Sequence, residues 1–218
     1  MEIQSRIIRN LPVFKIGDSL KEVIKFFKNT TYSHVAVTDE DKFMGLLSEN
    51  DLETFEGSKK IEDYRYNLES FFVNTETSWL DVLEAFARNE ANLVPVMDKD
   101  QNLIGYYNLA DVVSVFIDTP FFTEPGGVLV LSKGIKDYSF SEIAQIVESN
   151  NSKLLGGFVT EMKNDVVEVT IKIGASEIND IMQTFRRYNY TILFGNTDDQ
   201  FMENLKQRSD YLDKYLNV

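Results

Sequence analysis

The first half of this chain is written twice. Asp18 to Asp39 (DSLKEVIKFFKNTTYSHVAVTD) lies over Thr77 to Asp98 (TSWLDVLEAFARNEANLVPVMD) at a constant offset, and one extra residue later GLLSEND lies over GYYNLAD. A unit this short cannot bury its apolar face alone, so the two copies must pack on each other. The surface they share is the first place to look for a ligand.

Each copy reads as a helix, a strand pair and a second helix. Leu20, Val23, Ile24 and Phe27 recur at the spacing of a one-sided apolar stripe, which predicts an amphipathic helix. His34 to Val37 reads as a short strand, Thr38 to Lys42 as an acidic turn and Phe43 to Leu47 as the returning strand, after which Ser48-Glu-Asn-Asp51 opens a helix. The second copy repeats this order: a helix over Leu80 to Phe86, strands over Leu93 to Met97 and Leu103 to Tyr107, and Asn108-Leu-Ala-Asp111 opening a helix to about Ile117.

These residues resemble a tandem pair of cystathionine-β-synthase (CBS) domains, the so-called Bateman module. The marks are the apolar strand before an acidic turn and the ending Gly-x-x-Ser/Thr-x-x-Asp, here Gly45-Leu-Leu-Ser48-Glu-Asn-Asp51. The resemblance covers roughly residues 10 to 118. It implies a nucleotide site in which Asp51 accepts hydrogen bonds from both ribose hydroxyls and Ser48 supports the ribose-phosphate. The residue types suit that chemistry, because a carboxylate offers two acceptors to a vicinal diol and a helix N-terminus favours a phosphate. The same Ser-x-x-Asp is also a capping box, needed simply to start a helix.

The second copy keeps Asp111 but carries Asn108 where Ser or Thr is usual, so two unequal sites are expected. Tyr106 and Tyr107 beside it either stack on an adenine or fill the space. Pro95 matches the proline usual in the family's strand, whereas the first copy has Ala36. His34 is the only histidine and begins a strand where family members often contact the ligand; it reads either as a phosphate contact or as an ordinary surface residue.

Thr119 to Gly127 breaks the pattern with two prolines and two glycines and marks a boundary. Beyond it, Val128 to Ser132, Lys153 to Glu161, Val166 to Ile173 and Tyr190 to Phe194 read as strands, and Ser139 to Ser149 and Ser176 to Arg187 as helices. That order is βαββαβ, a ferredoxin-like plait, and it resembles the ACT family of small-molecule sensor domains. The loop Lys133 to Tyr138 lacks that family's acidic-Pro-Gly signature, leaving open a purely dimerising role. Asp198 to Leu216 reads as an amphipathic tail helix. The expected fold is therefore α+β, with CBS repeats over 1–66 and 67–120, a linker over 121–127, an ACT-like domain over 128–196 and a C-terminal helix over 197–218. This succession is similar to regulators of the acetoin-utilisation type.

Composition narrows function. An apolar fraction of 43% with 26% charged residues is that of an ordinary globular chain. A net charge of −13 without a basic stripe argues against nucleic acid. The start of the chain lacks an apolar signal core and no apolar run reaches membrane-spanning length, so a soluble cytoplasmic protein with no membrane partner is expected. With no cysteine, one histidine, no Gly-x-Gly-x-x-Gly and no P-loop, nothing points to an enzyme, a metal site or a bound cofactor. Acidic residues in the turns Asp39 to Asp41 and Asp98 to Asp100 are ordinary turn chemistry. The reading that results is a non-catalytic regulatory sensor. It binds AMP, ADP or ATP through Ser48, Asp51, His34, Asn108 and Asp111, acts as a homodimer, and signals to a regulated protein the chain does not identify. Its rival is an adaptor or dimerisation scaffold whose pockets are vestigial.

Overall fold

The computed structural model describes residues 3–175 and 178–195 and divides at 117/118 into two compact units. The expected tail helix lies outside the described residues.

In the first unit each copy builds a small sheet and a covering helix. The first copy has β1 (Phe14–Lys15), α1 (Leu20–Asn29), β2 (His34–Asp39) and β3 (Lys42–Ser48), with sheet order β1-β2-β3, β1 parallel to β2 and β2 antiparallel to β3. The second repeats this with β4 (Val73–Asn74), α2 (Trp79–Arg88), β5 (Leu93–Met97) and β6 (Leu103–Asn108), followed by α3 (Leu109–Ile117). Ser19 and Ser78 start α1 and α2 by accepting backbone N–H bonds from Lys21 and Asp81. From α1, Leu20, Val23 and Phe27 enter one core; from α2, Val82 and Phe86 enter another. Burial of each such side chain contributes about 1.5–3 kcal/mol.

The copies differ after the strand pair. Asn108 opens the α-helix α3, whereas Ser48 opens only a 3₁₀ turn, Glu49–Thr54. The expected helix fails to extend because ENDLET offers one apolar residue, Leu52, while LADVVSVFI is apolar along most of its length.

The copies are also interlocked. The segment leading into the first copy pairs with the second, Ile8 exchanging both backbone hydrogen bonds with Tyr106 at 2.8 and 2.9 Å. The segment leading into the second pairs with the first, Glu69 exchanging bonds with Leu46 at 2.8 and 2.9 Å. Ile3 accordingly sits in the second copy's core. A cut at 66/67 therefore separates repeats in sequence but not in space.

The signature glycine is what permits this crossing. Gly45 has φ +147°, and a Cβ there would meet the Glu69 carbonyl oxygen at 2.8 Å. Gly105 has φ +151°, and its Cβ would collide with the Ile8 carbonyl. Only a residue without a side chain lets the lead-in chain lie this close.

In the second unit the expected linker is partly structured: Pro120–Thr123 forms the short helix α4 and β7 (Gly126–Gly134) begins two residues before the expected Val128. Then follow α5 (Phe140–Ser149), β8 (Leu154–Lys163), β9 (Val166–Gly174), α6 (Ile178–Arg187) and β10 (Thr191–Phe194). The antiparallel sheet has order β10-β7-β9-β8, the ferredoxin-like arrangement. Strict alternation in β9 sends Val167, Val169, Ile171 and Ile173 toward α5 and α6, where they meet Ile143, Ile146, Ile181 and Phe185.

Candidate functional site

In the first copy, strand register places His34 directly opposite Ser48. Ser48 is buried and its Oγ accepts a bond from the Asn50 N–H at 3.3 Å, so it does cap the turn on which Asp51 stands half-buried. That turn is a single short 3₁₀ element, so the helix-dipole attraction for phosphate expected from the sequence is weak here. Asp51 lies close enough to His34 for its charge to favour the imidazolium.

His34 is not a surface residue. It is 2% exposed, its ring edge meets Phe71 with centroids 5.1 Å apart, and its Nε2 lies 3.5 Å from Oε2 of the more open Glu69. Burial holds its pKa below the ordinary value, against the opposing pull of Glu69 and then Asp51. Burial thus favours the uncharged imidazole.

A hydrogen-bond chain runs from His34 into the other copy. Its Nδ1 is 2.8 Å from Ser33 Oγ; that oxygen accepts from the Asn92 N–H at 2.8 Å, and the Ser33 N–H donates to Asn92 Oδ1 at 2.8 Å. The Glu69 carboxylate facing Nε2 can only accept, so the neutral imidazole carries its proton on Nε2 and its Nδ1 accepts from the Ser33 hydroxyl. Ser33 and Asn92 stand 59 residues apart, the offset of the duplication, so the pair lies on its pseudo-twofold. The polar types at matching positions were the available signal for it; Glu69, which lies outside the aligned blocks, offered none.

The second copy is built differently. Leu93 stands where the first copy has His34, opposite Asn108. Asn108 Oδ1 accepts from the Ala110 N–H at 2.8 Å and caps α3, with Asp111 half-buried one position further. His34, Ser48 and Asp51 thus form one group, and Asn108 and Asp111 a second.

Between the two sheets Ala36, Leu46, Leu93 and Tyr106 form a buried cluster. Tyr106 fills this space and is 1% exposed; its hydroxyl accepts from the Ala36 N–H at 3.0 Å and donates to the Pro12 carbonyl at 3.1 Å. Burial raises its pKa far above the usual phenol range, so it stays a donor. At the matching positions the other half has Pro95, without an N–H, and Leu46, without a hydroxyl.

A groove of about 610 Å³ runs along α2 and β4, lined by Phe71, Phe72, Asp81, Glu84 and Arg88, and it contains none of the predicted site residues. Among the described residues no cluster of three or more His, Asp or Glu is placed to hold a metal ion, and no helix is long and apolar enough to cross a membrane.

The CBS domain family model matches residues 2–55 and 62–118. An uncharacterized protein of Methanocaldococcus jannaschii is 24% identical over 168 residues, 72% of this chain; the chain spans 62% of that relative's length. Among solved structures, a CBS domain pair/ACT domain protein of Thermotoga maritima is 19% identical with a TM-score of 0.48, covering 54% of this chain and 98% of that one. The cytosolic domain of the Mg2+ channel MgtE, solved in complex with ATP, is 23% identical with a TM-score of 0.44, covering 50% of this chain and 46% of that one.

Proposed function

The chain belongs to the CBS-domain family, and from that premise we propose that its repeat pair is a non-catalytic regulatory module that takes an adenine nucleotide at Asp51. The observation that carries the reading is the grouping of Ser48 and Asp51 beside a buried His34 whose hydrogen bonds lead through Ser33 to Asn92 of the other copy. The Asp51 carboxylate accepts from the ribose diol, and His34 lies buried beside it with its ring nitrogens held by Ser33 and Glu69. With Glu69 and Asp51 both facing the imidazole, each added phosphate meets more negative charge, so the expected order is AMP before ADP before ATP.

Regulation follows from linkage. A ligand that touches groups tied to both copies changes the balance between arrangements of the pair only by its difference in affinity for them. The second unit, with its ferredoxin-like order, serves as an ACT-like dimerisation element, and the working form is a homodimer in the cytoplasm that acts on a regulated protein. The scaffold reading rests on one specific observation, the filling of the inter-sheet space by Tyr106.

Calorimetric titration with AMP, ADP, ATP and S-adenosylmethionine tests this. Saturable binding that disappears in Asp51→Ala, with unchanged melting, is the expected result. Ser48→Ala is the control for capping, losing about 1 kcal/mol of stability. A folded protein that binds none of the four leaves the scaffold as the function.

A further inference from the structure

The Ala36 N–H and the Pro12 carbonyl point at a common position inside the apolar space between the sheets, and the Tyr106 hydroxyl occupies it. The position continues the β1-β2 ladder, which is paired at Phe14↔Val37 and Lys15↔Thr38 and then opens around the phenol. The Ala36 N–H is buried and needs an acceptor, while the Pro12 carbonyl belongs to an exposed residue; a planar apolar ring whose edge both accepts and donates meets the two together. A nucleobase with a ring nitrogen beside an exocyclic amino group meets the same requirements as the phenol.

Tyr106 also lies two residues before Asn108 and pairs with the lead-in residue Ile8, just as Leu46 lies two before Ser48 and pairs with Glu69. Its ring therefore sits in the second copy's half of the cleft. The matching half holds Leu46 and Pro95, which are smaller and have no polar edge to satisfy.

We propose that Tyr106 is a built-in occupant of the second copy's nucleobase position, so that the chain takes a ligand only at the Asp51 group. The differences Ala36/Pro95 and Tyr106/Leu46 are then a single device: the N–H that Ala36 retains is the one Tyr106 satisfies. The inference rests on the nucleotide reading above.

The test is calorimetric stoichiometry with AMP on the full chain, comparing the natural protein with Tyr106→Leu, which installs the residue of the matching position. One AMP per chain rising to two, the added binding lost again in Tyr106→Leu/Asp111→Ala, is the expected result. A folded Tyr106→Leu with unchanged stoichiometry overturns the proposal. No binding by the natural chain but one AMP bound by Tyr106→Leu would sink the Asp51 reading while supporting this one. Should Tyr106→Leu fail to fold, Leu46→Tyr/Pro95→Ala transfers the device to the first copy. Loss of the single AMP there supports the proposal, and a folded double variant that still binds one AMP contradicts it.

Discussion

At Tyr106 a single oxygen satisfies the buried Ala36 N–H and the Pro12 carbonyl, so removing it is costly. Tyr106→Phe keeps the ring and leaves the Ala36 N–H and the Pro12 carbonyl without their shared partner. Urea unfolding should show a loss of about 1–3 kcal/mol, the cost of stranding the buried Ala36 N–H; a change near zero would mean that water replaces the hydroxyl. His34 gives a second residue-scale expectation. Its folded pKa is depressed below 6.5, so below that pH the unfolded chain takes up a proton that the folded chain refuses. The contribution is fully present above pH 6.5 and is lost as the pH falls, at no more than about 1.4 kcal/mol per pH unit. Because His34 is the only histidine, stability in His34→Gln should fall less steeply between about pH 6.5 and 5.5. Glu69→Gln, by removing the larger of the opposing charges, should lower the His34 pKa further. An imidazole that titrates above 6.5 by NMR would contradict the first of these, and one whose pKa does not fall in Glu69→Gln the second.

The elements follow from patterns that are local. Apolar spacing and serine caps place α1 and α2, and alternation places β9, because each is decided by residues adjacent in sequence. The crossing of the lead-in segments was not legible, since a two-residue strand or a single bridge has no period. Its trace is the glycine of each signature, whose reason appears only when Glu69 or Ile8 is seen lying against it. Gly45→Ala should cost roughly 1–3 kcal/mol through its positive φ and the contact with the Glu69 carbonyl, read as a lower denaturation midpoint. A neutral effect would mean that the lead-in segment is free to move away. The Ser48 turn shows the opposite failure: its cap is legible in the sequence, but capping alone does not make a helix where the apolar stripe is missing.

For the whole molecule, the duplication announced that the two copies pack on each other, though not that they interlock, and the order of strands and helices announced the ferredoxin-like second unit. What the copies do differently was only half visible. Asn108 against Ser48, and Ala36 against Pro95, could be read as departures, but the burial of His34 depends on Phe71 and Glu69, which lie in a segment between the copies. As a homodimer, the protein should elute in light-scattering chromatography at twice the chain mass, with the dimer persisting in Asp51→Ala; a monomer at micromolar concentration would remove the dimer from the proposed mechanism.

The central claim is that an adenine nucleotide binds beside Asp51 in the first copy, and the single histidine reports on that place. AMP should be titrated while the His34 imidazole signal is followed by NMR. A saturable shift in the natural protein that is absent in Asp51→Ala is the predicted result. Binding by calorimetry that leaves the His34 signal unmoved, or a shift undiminished in Asp51→Ala, would place the ligand elsewhere and contradict the account.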